Sequence, residues 1–200
     1  PAVITQVFQE AVEEQGLFYP PDPASKGSCS IGGNLAESSG GPKAVKYGVT
    51  RDYVLNLEVV LMDGSVMWTG ANVLKNATGH DLTRLMVGSE GTLGVITKAV
   101  FRLIPKPKFD ILLLVPFESN EKACATVADI FKEGLVPSAM EFMEREALEC
   151  VQAFMGTDMQ IGADVAAHLL IEFDGDDQEK LFKGIILLSS FPLVAKAFLL

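Results

Sequence analysis

Two glycine-rich stretches constrain this chain more than anything else in it: PPDPASKGSCSIGGNLAESSGGPKAVKYG over residues 20–48, and GSEGTLGVIT over residues 88–97. Neither composition suits a helix interior. Gly32–Gly33 and Gly40–Gly41 allow the backbone positive φ and allow a ligand close to the main chain. The hydroxyls of Ser28, Ser30, Ser38 and Ser39 add donors and acceptors without bulk. Such a segment can form a nest of backbone N–H groups suited to an anion such as a pyrophosphate. By glycine content alone it reads as a long surface connection. Against that, long structureless loops inside compact domains are uncommon and usually functional.

The 200 residues suffice for one domain or parts of two. A hydrophobic content of 48% with 18 glycines fits a globular α/β or α+β protein. The net charge of −10 argues against nucleic acid as a partner and weakens binding to an anionic membrane surface. Three cysteines, Cys29, Cys124 and Cys150, are an odd number without metal-type spacing. They read as reduced thiols of a cytosolic protein. With His80 and His168 the only histidines, no His-rich metal site is expected from this chain. The first residues carry no signal-peptide pattern, so the chain is expected to begin inside a longer protein.

Ile4, Val7, Phe8, Ala11 and Val12 recur at helical spacing and predict a helix over 3–15 that stops at Gly16. Pro20–Pro21 cut the apolar run after it. Tyr53–Met62 predicts a strand, with Leu55, Leu57, Val59 and Leu61 on one face. Asp63–Gly64 signals a hairpin returning through Ser65–Thr69. Residues 70–80 are loop-like, Asp81 can cap a short helix over 81–87, and Val95–Ile104 is a further strand. Pro105 and Pro107 mark a boundary. Beyond it the pattern predicts strands over 110–117, 138–143 and 166–173. Helices are predicted over 119–133 and 144–154 and after the turn at 174–177, with Ala123, Val127, Ile130 and Phe131 inward. That order implies an α+β sheet with helices on one face.

The run PPDPASKGSCSIGGNLAESSGGPKAVKYGVTRDYVLNLEVVLMDG, followed by GANVLKNATGHDLTRLMVGSEGTLGVITKAVFRLIPKP, resembles the FAD-linked oxidases and dehydrogenases of 2-hydroxy acids. Within the vanillyl-alcohol oxidase superfamily the likeness is to the glycolate oxidase D subunit and D-lactate dehydrogenase type. It is strong over about residues 3–108 and weaker to about 180. The resemblance implies an α+β fold, with residues 1–108 as the second half of an FAD-binding domain and 109–200 as the start of the cap domain. It implies FAD as cofactor and oxidation of a small 2-hydroxy acid, glycolate or D-lactate, by hydride transfer to flavin. Partner subunits of a glycolate-oxidase-like complex, or a homo-oligomer, are the implied assemblies, with membrane association only through partners.

By the same resemblance Asp22, Pro23, Ser28, Cys29, Ser30, Ile31, Gly32 and Gly33 lie along the flavin diphosphate and ribityl chain, followed by Asn34, Glu37, Ser38, Ser39 and Gly40. Glu90, Gly91, Thr92, Leu93, Gly94, Val95 and Ile96 meet the adenosine or isoalloxazine portion. Cys29 is expected to be a small buried residue, Lys43 and Lys46 solvated, and Arg51 and Asp52 structural. Tyr47 is divided between packing and flavin contact. His80 stands where the family usually has an aromatic residue and is expected to be structural. No catalytic residue and no metal ligand is identified. The family's Gly-rich loop of the first flavin-binding half and its cap-domain histidines fall outside the match. Two other functions stay open: a non-catalytic flavin-binding or assembly subunit, and another enzyme on the same fold such as an alkyl-glycerone-phosphate synthase. Residues 184–200, GIILLSSFPLVAKAFLL, depart from the family pattern. They read as a buried helix and strand rather than a membrane span, or as a chain end altered by frameshift, truncation or cloning.

Overall fold

The computed structural model describes residues 1–156, 161–189 and 198–199. It divides into two compact units, Pro1–Lys106 and Pro107–Leu200. In the first unit, helix α1 (Thr5–Glu13) buries Thr5, Gln9 and Val12 along one stripe. Strand β1 (Leu17–Phe18) pairs antiparallel with β5 (Ile104–Pro105). Helices α2 (Ile31–Glu37) and α3 (Ala44–Tyr47) and a 3₁₀ turn (Thr50–Tyr53) lead into β2 (Val54–Val60). A three-stranded sheet follows in the order β3-β2-β4, with β3 at Val66–Trp68 and β4 at Val95–Phe101. The short helix α4 (Leu82–Met86) precedes β4.

The core of this unit is Val12, Tyr19, Ile31, Leu35, Tyr53, Leu57, Val59, Met86 and Val87. The alternation expected of β2 holds at its centre, where Leu57 and Val59 are fully buried. Two register shifts in the β2–β4 pairing break it elsewhere, and Asn56 is buried as well. Its side chain accepts from Gly70 N–H (2.8 Å) and donates to Asn72 Oδ1 (3.0 Å), so a buried polar group is satisfied locally. The expected strand 95–104 ends at Phe101. Arg102 N–H turns away to Tyr53 C=O (2.7 Å), and Ile104–Pro105 join β1 instead.

The second unit is a four-stranded antiparallel sheet in the order β7-β8-β6-β9. Its strands are β6 (Phe109–Phe117), β7 (Ala139–Glu144), β8 (Ala167–Gly175) and β9 (Phe198–Leu199). Its helices are α5 (Asn120–Lys132), α6 (Arg145–Met155) and α7 (Gln178–Ser189). Leu113, Val115 and Phe117 of β6 and Ala167, Leu169, Ile171 and Phe173 of β8 form the core with Ala123 and Ile130 of α5, and Leu181 of α7 packs on it. Phe131, expected inward, is 42% exposed, because its helical position points away from the Ala123–Ile130 stripe. Ser119 caps α5 by accepting from Lys122 N–H (3.2 Å), and Gly134 ends it at φ +75°. The tail is helical to Ser189, and residues 190–197 and 200 lie outside the described residues.

Candidate functional site

The first glycine-rich stretch is not an open loop, and it does contain a helix. Ser30, extended at φ −104°, accepts from Gly33 N–H (3.3 Å) and starts α2. A serine before an isoleucine and two small residues is an N-cap signal that the glycine count concealed. None of Gly32, Gly33, Gly40 and Gly41 has positive φ. Gly32 and Gly41 instead permit close chain approach: a Cβ on Gly32 would meet Pro1 Cβ at 2.8 Å, and one on Gly41 would strike Asp22. Asp22 Oδ1 accepts from Lys43 N–H (3.2 Å). Pro23 is buried. The Ser28 hydroxyl donates to Ser25 C=O (3.2 Å).

Cys29 is half-buried rather than buried, with Sγ 3.3 Å from Thr5 Oγ1. Desolvation acts to raise its thiol pKa, but hydrogen bonds from Thr5, Ser25 and Asn34 and from its own backbone outweigh it, and the pKa falls below the usual thiol value. Asn34, 3% exposed, donates to Thr5 Oγ1 (2.6 Å). Thr5, which the sequence did not single out, thus ties α1 to the glycine-rich stretch. Ile31 belongs to the core, while Gly33 and Glu37 are exposed.

The two stretches meet. Gly88 N–H donates to Leu35 C=O (2.9 Å) and Glu90 N–H to Ala36 C=O (3.0 Å), so the second stretch docks on the last turn of α2. Arg51 completes the tie: its Nε donates to Ser38 Oγ (3.1 Å) and its Nη2 to Val87 C=O (3.3 Å). Asp52 pairs with Arg84 (3.5 Å), not with Arg51. Both residues are thus bonded within the protein. Ser39 C=O accepts from Thr50 N–H (3.0 Å) and Oγ1–H (2.8 Å), which anchors the turn at Ser38–Gly40. Tyr47 packs edge-on against Phe18 at 5.7 Å, and its carbonyl accepts from Tyr53 O–H (2.9 Å).

Among the described residues, the two non-glycine positions with left-handed backbone are Ser38 (φ +53°) and Glu90 (φ +51°), one in each stretch. Such positions are costly and gather at ligand-binding segments. Gly91 follows at φ +75°, exposed, with nothing within 4 Å of a Cβ built there. Thr92 closes that turn on Ser89 C=O (2.6 Å), and Leu93 is exposed. Gly94 is different: a Cβ there would meet Val59 Cγ1 at 2.7 Å, so its role is packing on β2. Val95 and Ile96 open β4, an edge strand among the described residues; Val95 is 65% exposed.

An open main-chain turn running into a strand edge has the donors and acceptors that a flat heterocycle needs. The start of α2 offers an anion less than expected. The N–H groups of Ile31, Gly32, Gly33 and Asn34 already go to Val3 C=O, Pro1 C=O, Ser30 Oγ and Ser30 C=O. The Ser38–Gly40 turn and Glu90–Ile96 are therefore the candidates for contact with a dinucleotide.

Comparison with known proteins decides the family. Residues 1–70 match the family described as FAD binding domain, and residues 106–188 match FAD linked oxidases, C-terminal domain. This chain belongs to the FAD-linked oxidases. It is 47% identical over 175 residues to glycolate oxidase subunit GlcD of Bacillus subtilis, covering 88% of this chain and 37% of that protein. It is 44% identical over 183 residues to a D-lactate dehydrogenase of Anaerostipes hadrus, covering 90% and 38%. The chain thus spans less than two fifths of these curated relatives. Among solved structures, an alkyldihydroxyacetonephosphate synthase superposes with a TM-score of 0.77 at 21% identity, over 98% of this chain and 37% of that one. At that identity the likeness is one of fold. The cofactor of this FAD-linked oxidase family is FAD.

Proposed function

We propose that this chain is part of an FAD-dependent oxidoreductase that oxidises a small 2-hydroxy acid of the glycolate or D-lactate type. The observation that carries the reading is the joining of the two glycine-rich stretches into one cradle through Leu35, Ala36 and Arg51. The relatives that match along almost the whole chain bear the names glycolate oxidase and D-lactate dehydrogenase. Residues 1–108 are read as the second half of the flavin-binding domain and 109–200 as the start of the cap domain.

When bound, FAD supplies the acceptor for the hydride equivalent that leaves the α-carbon. The chain's own share is positioning. The turns at Ser38–Gly40 and Glu90–Gly91 each end on a glycine that leaves the main chain bare, and the edge at Val95–Ile96 offers carbonyl and amide groups to a planar ring. Asp22, Pro23, Ser28, Cys29, Ser30, Ile31, Gly32, Gly33, Asn34 and Glu37 support that cradle; their polar groups are already bonded within the protein at Asp22, Ser30 and Asn34. Among the described residues no helix is long and apolar enough to cross a membrane. Assembly with partner subunits is suggested by the name glycolate oxidase subunit, and a cytoplasmic location is part of this same proposal.

The test is turnover of glycolate, D-lactate and D-2-hydroxyglutarate with a dye acceptor, using flavin-loaded protein carrying this sequence. Turnover of at least one is expected. A flavin-loaded protein that oxidises none of them would sink the reading and leave an assembly role or carbon–oxygen chemistry on the same fold.

A further inference from the structure

Ser38 and Glu90 lie in turns that are far apart in sequence and adjacent in the fold. Ser38 closes α2 at φ +53° and ψ +48°, a place where a helix ordinarily carries glycine or asparagine. The backbone does not ask for a serine there. The hydroxyl has a use of its own: its Oγ accepts from Arg51 Nε (3.1 Å). The other arm of the same guanidinium, Nη2, donates to Val87 C=O (3.3 Å), just ahead of the second turn. One side chain thus spans both turns.

The base of that side chain is fixed. Thr50 donates to Ser39 C=O through its N–H (3.0 Å) and its Oγ1–H (2.8 Å), so the 3₁₀ turn carrying Arg51 is anchored on the residue after Ser38. The space around the guanidinium is fixed as well. Gly88 has φ +82°, and a Cβ built on it would fall 2.8 Å from Arg51 Nη2 and 3.3 Å from Ser38 Cβ. Glycine at 88 therefore serves the crossing of Arg51 as well as its own backbone. Left-handed conformations at non-glycine residues persist where their surroundings over-determine them. Here those surroundings are Arg51, Thr50 and the docking of Gly88 and Glu90 on Leu35 and Ala36.

We propose that Arg51 is a positioning residue, which holds the Ser38–Gly40 and Glu90–Gly91 turns in one arrangement by its two-armed geometry and not by its charge. That these turns receive FAD rests on the function proposed above. A lysine keeps the charge but has no planar fork to reach two acceptors in fixed directions. Arg51→Lys therefore separates geometry from charge.

Amide hydrogen exchange of the flavin-free chain reads the arrangement itself. In Arg51→Lys the Gly88 and Glu90 amides are expected to exchange about fivefold faster, and those of Leu57 and Val59 at the centre of β2 to keep their rates. Ser38→Ala is expected to act in the same direction. The double variant should exchange no faster than Arg51→Lys alone, because both substitutions remove the same contact. Titration with FAD, followed by flavin fluorescence, then reads the positioning, with Kd raised about fivefold in Arg51→Lys. The proposal is overturned if Arg51→Lys matches the wild type in exchange or in Kd, if exchange at Leu57 and Val59 rises equally, or if the effects of the two substitutions add. A wild-type chain that takes up no FAD while showing the expected exchange pattern would sink the proposed function and leave the role of Arg51 in joining the turns standing.

Discussion

Asn34, Tyr19, Glu90 and His168 each carry a prediction that belongs to one side chain. Asn34 is buried and donates to Thr5 Oγ1, so Asn34→Leu leaves the Thr5 hydroxyl without its donor in a closed space. It should cost about 1–3 kcal/mol in denaturant unfolding. Tyr19 is fully buried, and burial pushes its phenol up to about 12; Thr50 opposes the shift, but the hydroxyl lacks a hydrogen bond of good geometry. Tyr19→Phe should therefore be neutral or slightly stabilising, and a loss above about 1 kcal/mol would contradict that account. Glu90 sits in the left-handed region, where a β-branched residue is strained. Glu90→Val should cost about 1–2 kcal/mol while Glu90→Gly costs little.

His168 is 8% exposed in the sheet of the second unit, and its Nδ1 has no partner among the described residues. Desolvation, with Arg145 adding to it, holds its pKa below the ordinary 6.5. The unfolded chain therefore takes up a proton before the folded one does. The stability tied to this residue is complete above about pH 6.5 and is lost as pH falls toward the lower folded value. His168→Leu should flatten the loss of stability between pH 7 and 5, and an unchanged slope would contradict the assignment.

At the scale of elements, periodicity was readable where one face is buried and misleading where glycine is abundant. Helices α1 and α5 and strands β2, β6 and β8 were legible, because apolar residues recur at the period of their buried faces. Helix α2 was not. Its two glycines argue for a loop, and what overrides them is Ser30 capping and the burial of Ile31, Asn34 and Leu35. The role of Gly94 was equally hidden, since only the approach of Val59 and Val60 reveals it as a packing glycine. At this scale Ser119→Ala should cost about 1 kcal/mol by removing the cap of α5, seen as an earlier thermal transition of the second unit.

For the whole molecule, the sequence resemblance implies two strips as cofactor contacts, and the structure adds how they are joined: Leu35 and Ala36 carbonyls, the Arg51 side chain and the edge of β4. Those ties run between positions far apart in sequence, and except for Arg51 through main-chain groups that carry no residue signature, so composition could not reveal them. The N–H groups at the start of α2, by contrast, are consumed within the protein, which leaves Ser38–Gly40 and Glu90–Ile96 as the proposed cofactor contacts. The most direct measurement is the visible spectrum of the chain after loading with FAD and gel filtration, for the wild type and for Gly91→Val. The account predicts a flavin band that travels with the wild-type protein and is lost in a folded Gly91→Val variant. A wild-type protein that emerges colourless, or a variant that keeps the full band, would contradict it.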